Sequence, residues 1–191
     1  MKKLAFSLIV AVVAAGALAA TNLASKPEAV QAAGGDPIFM KFDGIDGEVT
    51  VKGHENEIEL LSWSWGMDQG GISGGGGAGK VNVHDITMTK QLDKSSPKLM
   101  EVLAKGEHAR QVELSFSSPS PRSREFMRIT LENVIVTSYQ ISGSASQDRP
   151  AESLSLNFEK IKVSYQQLDK KGTSAGAPKV FTWDVAANNS F

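Results

Sequence analysis

The chain has 191 residues, with 20 Lys and Arg against 21 Asp and Glu, 18 glycines and no cysteine. That length suits one domain of about 100–200 residues. A net charge of −1 argues against a nucleic-acid binder, which carries a basic patch or tail, and the lack of Cys excludes a disulfide scaffold, a CxxC redox pair and Cys-ligated zinc.

Met1-Lys2-Lys3 is a basic start, and the 17 residues from Leu4 to Ala20 carry no charge. This is the layout of a secretory signal peptide. The run is shorter than the ~20 apolar residues of a membrane span, so no stable membrane anchor is expected after cleavage. Small residues permit cleavage after Ala19 or after Ala32. The expected organisation is a signal peptide and spacer over 1–32 and a single domain over 33–191, exported and then secreted or periplasmic. Cleavage after Ala32 would leave 17 basic and 20 acidic residues, a net charge of −3.

The remainder reads as strands with one helix. Ile38, Met40 and Phe42 alternate with Phe39 and Lys41, a strand pattern. Asp43-Gly44-Ile45-Asp46-Gly47 is turn chemistry, and a second short strand is expected over Glu48 to Lys52. Glu57 to Trp65 alternates as one strand, with Leu61, Trp63 and Trp65 on a core face and Ser62 and Ser64 opposite. Gly66 to Lys80 is a long glycine-rich loop, holding seven of the 18 glycines between Gly70 and Gly79. Val81 to Lys90 is a further strand. A helix over about 95–105 starts at Ser96 as cap, takes Pro97 in its first turn and stops at Gly106. Its stripe of Leu99, Val102 and Leu103 predicts packing on a sheet. Strands follow at Val112 to Phe116, at Glu125 to Tyr139 with a bend near Asn133, as one or two strands between Leu154 and Tyr165, and at Val180 to Val185. Many short strands separated by turn signals predict a sandwich or barrel.

No motif supplies chemistry. Gly71-Ile72-Ser73-Gly74-Gly75 matches the G-x-S-x-G nucleophile elbow in letters, but that motif needs a strand-to-helix turn, and a strand follows here. Gly79-Lys80 lacks the Ser or Thr that a phosphate loop places next, since Val81 stands there. His54, His84 and His108 have no metal-site spacing. Asp43, Asp46 and Glu48 match only part of a calcium loop and read as a solvated turn. Glu55, Glu57 and Glu59 alternate on one strand face, which reads as a solvated edge or an intersubunit surface. No catalytic residue, cofactor site or metal site is expected.

Several segments taken in order resemble one family. They are Asp36-Pro37-Ile38-Phe39-Met40-Lys41 with Gly44-Ile45 and Gly47-Glu48, then His54 with Glu57-Ile58, then Leu61-Ser62-Trp63-Ser64-Trp65-Gly66. Gly79-Lys80-Val81-Asn82-Val83-His84-Asp85, Asp93 to Met100 and Gly106-Glu107-His108 continue the series. Ile141 to Ser144, Glu152 to Phe158 and Gly176-Ala177-Pro178 to Trp183-Asp184 complete it. Together they are similar to the haemolysin-coregulated protein (Hcp) family, which forms the tube of the bacterial type VI secretion system.

The resemblance implies a mainly β fold, a barrel-like pair of antiparallel sheets with one flanking helix. It also implies a homohexameric ring with an open lumen, rings stacked into a tube, and spike, sheath or effector proteins as partners. In that setting Gly70, Gly71, Gly74, Gly75, Gly76 and Gly77 fall in a loop that contacts neighbours, and Thr50, Lys52, Glu55, Glu57 and Glu59 are ring or stacking contacts. Tube proteins of the family normally carry no signal peptide. The apparent signal peptide therefore keeps a second reading open: an Hcp-like binding or carrier protein exported by the general pathway and acting in the periplasm or outside the cell, without a contractile sheath.

Overall fold

The computed structural model describes residues 37–69, 79–118 and 124–191. Among them are eleven strands and one helix: β1 (Ile38–Phe42), β2 (Ile58–Leu60), β3 (Ser62–Ser64), β4 (Met67–Gln69), β5 (Val81–Val83), β6 (Ile86–Gln91), α1 (Ser96–Lys105), β7 (Ala109–Ser117), β8 (Glu125–Ser142), β9 (Ala151–Asn157), β10 (Lys160–Tyr165) and β11 (Lys179–Asp184).

Strand β8, 18 residues long, organises the fold. Its first half pairs with β7 and β10 in a sheet that runs β2-β1-β7-β8-β10-β11. Its second half pairs with β9 in a sheet that runs β8-β9-β6-β3. All of these pairings are antiparallel. The turnover comes at Asn133, which adopts a left-handed conformation with φ 50°, where the sequence predicts a bend. Asn accepts that region more readily than most residues because its short amide can bond locally. Here its Oδ1 lies 2.8 Å from His108 Nδ1.

The two sheets enclose one core. Met40, Leu114, Ile129, Leu131 and Ile161 point inward from the first sheet, and Ile86, Met88, Leu154 and Leu156 from the second. Helix α1 lies against β8 with Leu99 and Val102 buried. Gly106 ends it in a left-handed conformation, φ 64°, its N–H bonding Leu103 O while Glu107 N–H reaches Val102 O. Those two bonds satisfy carbonyls that a helix end would leave unpaired.

Five details of the sequence reading change. Residues 48–52 form no strand. They belong to an excursion, residues 46–57, that folds back on itself through Gly47 N–H to Asn56 O, Asn56 N–H to Val49 O and Val49 N–H to Glu57 O. The stretch from Glu57 to Trp65 is two strands, because the chain leaves β1 at Leu60 and joins β6 at Ser62 in the other sheet. Leu61, at the crossing, is turned out and 48 % exposed, while Trp63 and Trp65 pack partly buried on the core. The stretch from Val81 to Lys90 divides at His84-Asp85 into β5 and β6. The loop expected from Gly66 starts later, since β4 pairs with β5 as a two-stranded ribbon. At the helix start Ser95, not Ser96, holds the cap position, and its side chain makes no capping bond.

Candidate assembly surfaces

The outward faces of the two sheets differ sharply in chemistry. On the second sheet, residues directly opposite one another share a face. Two rows cross all four strands: Ser64, Thr87, Ser155 and Ser138, then Ser62, Thr89, Ser153 and Gln140. A shorter third row holds Gln91, Ala151 and Ser142. None of these side chains is charged. Ser62 and Thr89 hydroxyls lie 2.7 Å apart and Thr87 and Ser155 hydroxyls 3.1 Å apart. Asp85, at the border, accepts from Thr137 Oγ1 at 2.6 Å and from Asn157 Nδ2 at 2.7 Å. The result is a continuous uncharged face made mostly of small hydroxyls.

The first sheet's outer face is charged. Lys41, Glu113 and Lys162 stand in one row across it. Arg128 Nη1 meets Glu113 at 2.8 Å and Nη2 meets Glu125 at 2.7 Å. These bonds, with Glu125 contributing most, hold the guanidinium above its ordinary pKa. The excursion over residues 46–57 covers part of this face. The His54 ring stacks on Phe39, centroids 4.5 Å apart and planes 29° apart, and Phe39 is buried although it lies on the outer side of β1. His54 Nδ1 lies 2.8 Å from Glu57 Oε2. Gly47 makes the return possible, since a Cβ there would sit 2.1 Å from Glu57 O.

The expected contact residues separate accordingly. Thr50 and Lys52 are exposed on the excursion. Glu55 and Glu57 precede β2 and do not form a strand face with Glu59, because the chain is turning there. Glu55 accepts from Gly53 N–H at 2.8 Å, and bonds from its own and the Gly53 amide lower its carboxyl. Glu59 alone lies on β2, where desolvation by the surrounding chain raises its carboxyl although the residue reaches solvent. Gly70, Gly71, Gly74, Gly75, Gly76 and Gly77, with Ser73, lie outside the described residues, in the connection between β4 and β5.

The histidines do not converge. His54 is held by Glu57, His84 Nε2 lies 2.5 Å from Asp68 Oδ1, and His108 meets Asn133. The acids of the first turn diverge too: Asp43 pairs with Arg110 at 3.4 Å, and Glu48 accepts from Lys94 N–H and pairs with Arg149. Among the described residues no group of three His, Asp or Glu could hold a metal ion, and no helix is long and apolar enough to cross a membrane.

Sequence reasoning missed a buried polar cluster. Lys90 Nζ, fully buried, donates to Glu152 Oε2 at 2.6 Å, Asp93 Oδ1 at 2.8 Å, Gln91 O at 2.8 Å and Ser96 Oγ at 3.0 Å. Ser96 Oγ also accepts from Asp93 N–H. Burial, with the Glu152 carboxylate beside it, holds the Tyr139 phenol well above its usual range. A signal was present: Lys90 has the parity of Ile86 and Met88, and Glu152 that of Leu154 and Leu156. A charge on the apolar parity of two strands marks a buried pair.

Among the described residues two antiparallel sheets share one long bent strand, a single helix flanks them, and broad, chemically distinct outer faces offer surfaces for assembly. The comparisons with known proteins make this specific. The family described as "Type VI secretion system effector, Hcp" matches residues 39–165. Protein hcp1 of Pseudomonas aeruginosa is 40 % identical over 155 residues, which covers 79 % of this chain and 96 % of the relative. A solved type six secretion system protein superposes with a TM-score of 0.78 at 26 % identity, covering 82 % of this chain and all of the other. Hcp1 from Salmonella typhimurium superposes with a TM-score of 0.69 at 31 % identity, covering 81 % and 98 %. The chain belongs to the Hcp family of type VI secretion proteins, and its fold is the mainly β, two-sheet architecture with one helix that the resemblance implies.

Proposed function

We propose that this protein is a tube subunit. Six copies close into a ring, the rings stack, and the uncharged hydroxyl face of the second sheet lines the lumen. The observation that carries the assignment of faces is the contrast between the two outer surfaces. A wall that must release protein cargo of varied charge works best with small neutral side chains, whereas the charged outer face of the first sheet suits fixed contacts between subunits. Ring closure also covers sheet edges that would otherwise associate without limit, and a heterologous contact repeated around an axis generates a closed ring.

In this reading Thr50, Lys52, Glu55, Glu57 and Glu59, with the six glycines from Gly70 to Gly77, contribute ring or stacking contacts, and the partners are spike, sheath or effector proteins. The chain has no catalytic role in it. Native mass spectrometry and electron microscopy of the chain test the proposal: six-membered rings are the expected result, and a strict monomer at high concentration overturns it.

A second reading rests on the basic start and apolar run from Met1 to Ala20. Residues 1–32 act as a signal peptide and spacer, residues 33–191 form the single exported domain, and the ring works as a carrier in the periplasm or outside the cell. N-terminal sequencing of protein recovered from each cell fraction decides between the two. A free residue after Ala19 or Ala32 supports export by the general pathway, and an intact start from a sheath-associated fraction supports the tube.

A further inference from the structure

Strand β11 ends the first sheet and is bonded to β10 on one side only. Backbone groups alternate in direction along an antiparallel strand. Val185 N–H points to the β10 side, reaching Glu159 O at 2.8 Å, while Asp184 N–H points away and bonds Asn189 O at 2.8 Å. By the same alternation Thr182 and Val180 present their amides and carbonyls to the free side. The sequence Val180-Phe181-Thr182-Trp183 carries no charge and consists of strong strand formers. Such a stretch on an open edge is a template for another chain.

The chain itself covers part of that edge. After β11 it turns through residues 185–188, where Asp184 Oδ1 accepts from Ala187 N–H at 2.7 Å and Asn188 takes a left-handed φ of 53°. It then returns antiparallel to β11. Asn189 stands opposite Asp184, and Phe191 reaches Thr182, whose hydroxyl donates to Phe191 O at 2.5 Å and lies 3.3 Å from Phe191 N. Two further contacts fix the return: Val81 N–H donates to Asn188 Oδ1 at 3.2 Å, and Lys160 Nζ lies 5.3 Å from the Phe191 ring centre. Val180, two residues before Thr182 on the same edge, is 53 % exposed.

We propose that residues 186–191 are an edge guard: a built-in hairpin that keeps β11 from pairing, antiparallel, with the β11 edge of a second copy. The pairing is isologous, so it joins two copies, or two assemblies, about a two-fold axis.

The test compares the full chain with one truncated after Val185 by sedimentation over a concentration series. The truncated chain is expected to form the added paired species at about tenfold lower concentration, a shift that about one net hydrogen bond can produce. Val180→Lys in the truncated chain is expected to reverse it, because a lysine on an edge blocks pairing. Identical sedimentation of full and truncated chains overturns the proposal, and so does an association that Val180→Lys leaves in place. Near-UV circular dichroism of the tryptophans monitors folding. If the truncated chain does not fold, the full chain carrying Thr182→Val and Asp184→Ala decides in its place. It loses the anchors at Phe191 and Ala187 and is expected to associate more readily than the parent, and unchanged association in it overturns the guard.

Discussion

Lys90 and Glu152 are cross-strand neighbours on β6 and β9, joined at 2.6 Å with both side chains removed from solvent. The pair stands in the inner face of the second sheet, one position beyond the apolar row of Trp63, Met88, Leu154 and Tyr139. Through Asp93 and Ser96 it also ties the start of α1 to that sheet. Removing one partner strands a buried charge, which costs about 3–5 kcal/mol. Lys90→Met is therefore expected to lower unfolding free energy by that amount in urea titration. Adding Glu152→Met should recover much of the loss, because a buried pair replaced by apolar side chains is often neutral.

Gly47 has no room for a side chain, since the Glu57 and Ile58 backbone lies within 2.6 Å of where a Cβ would stand. Gly47→Ala is expected to push the excursion off Phe39 and cost about 1–3 kcal/mol, the range for overpacking. Thermal unfolding measures it. Phe39→Ser in the same background should cost less than in the parent, because the cover is already displaced.

On α1, Glu101 accepts from Lys98 at 2.9 Å and contacts Lys105. The Lys105 bond first, then that from Lys98, lower its carboxyl from 4.5 to about 2. A depressed folded pKa means that the pair's contribution is fully present above about pH 4.5 and is lost as pH falls towards 2. The group is exposed, so the effect is small and salt-sensitive. Glu101→Gln should flatten the acid limb of the stability curve in that window at low salt, and added salt should reduce the difference.

Asp184 is held below its ordinary carboxyl pKa, first by the Ala187 amide. The turn that begins the edge guard is thus supported above the usual carboxylate range and released as pH falls through the lowered value. Amide exchange reads this directly. Asp184→Asn is expected to lower the protection of the Ala187 N–H at neutral pH and to remove the acid dependence of that protection, measured against the amide's intrinsic exchange rate.

A charge placed on the hydroxyl face separates assembly from transport. Ser138→Lys lies on an exposed position of β8, where surface substitutions stay within about 0.5 kcal/mol. Melting and ring formation should be unchanged, while the set of proteins that co-purify with the ring should shift against basic cargo. An unchanged set would place the lumen elsewhere.

Much of the fold is legible in alternation alone. The period-two patterns of β1, β7 and β9 mark their inner faces correctly. The stripe of α1, its stop at Gly106 and the bend at Asn133 follow from local rules. The failures share a cause. Leu61 breaks the alternation because a strand that changes sheets must reverse its facing. The acids at Glu55 and Glu57 alternate in letters, yet the chain is turning there, held by hydrogen bonds to residues 47 and 49 that no local pattern shows.

The sequence by itself determined which residues share a face, since side-chain direction along a strand is fixed by covalent geometry. It also determined the family, through motifs kept in order from Asp36 to the last strand. Only the tertiary structure decided what covers each face. Phe39 sits on an outer side and is buried because the excursion and His54 lie over it. Lys90 sits on the core side and is tolerated there because β9 and the start of α1 bring acceptors to it. Burial depends on neighbours distant in the chain, and those neighbours are set by folding.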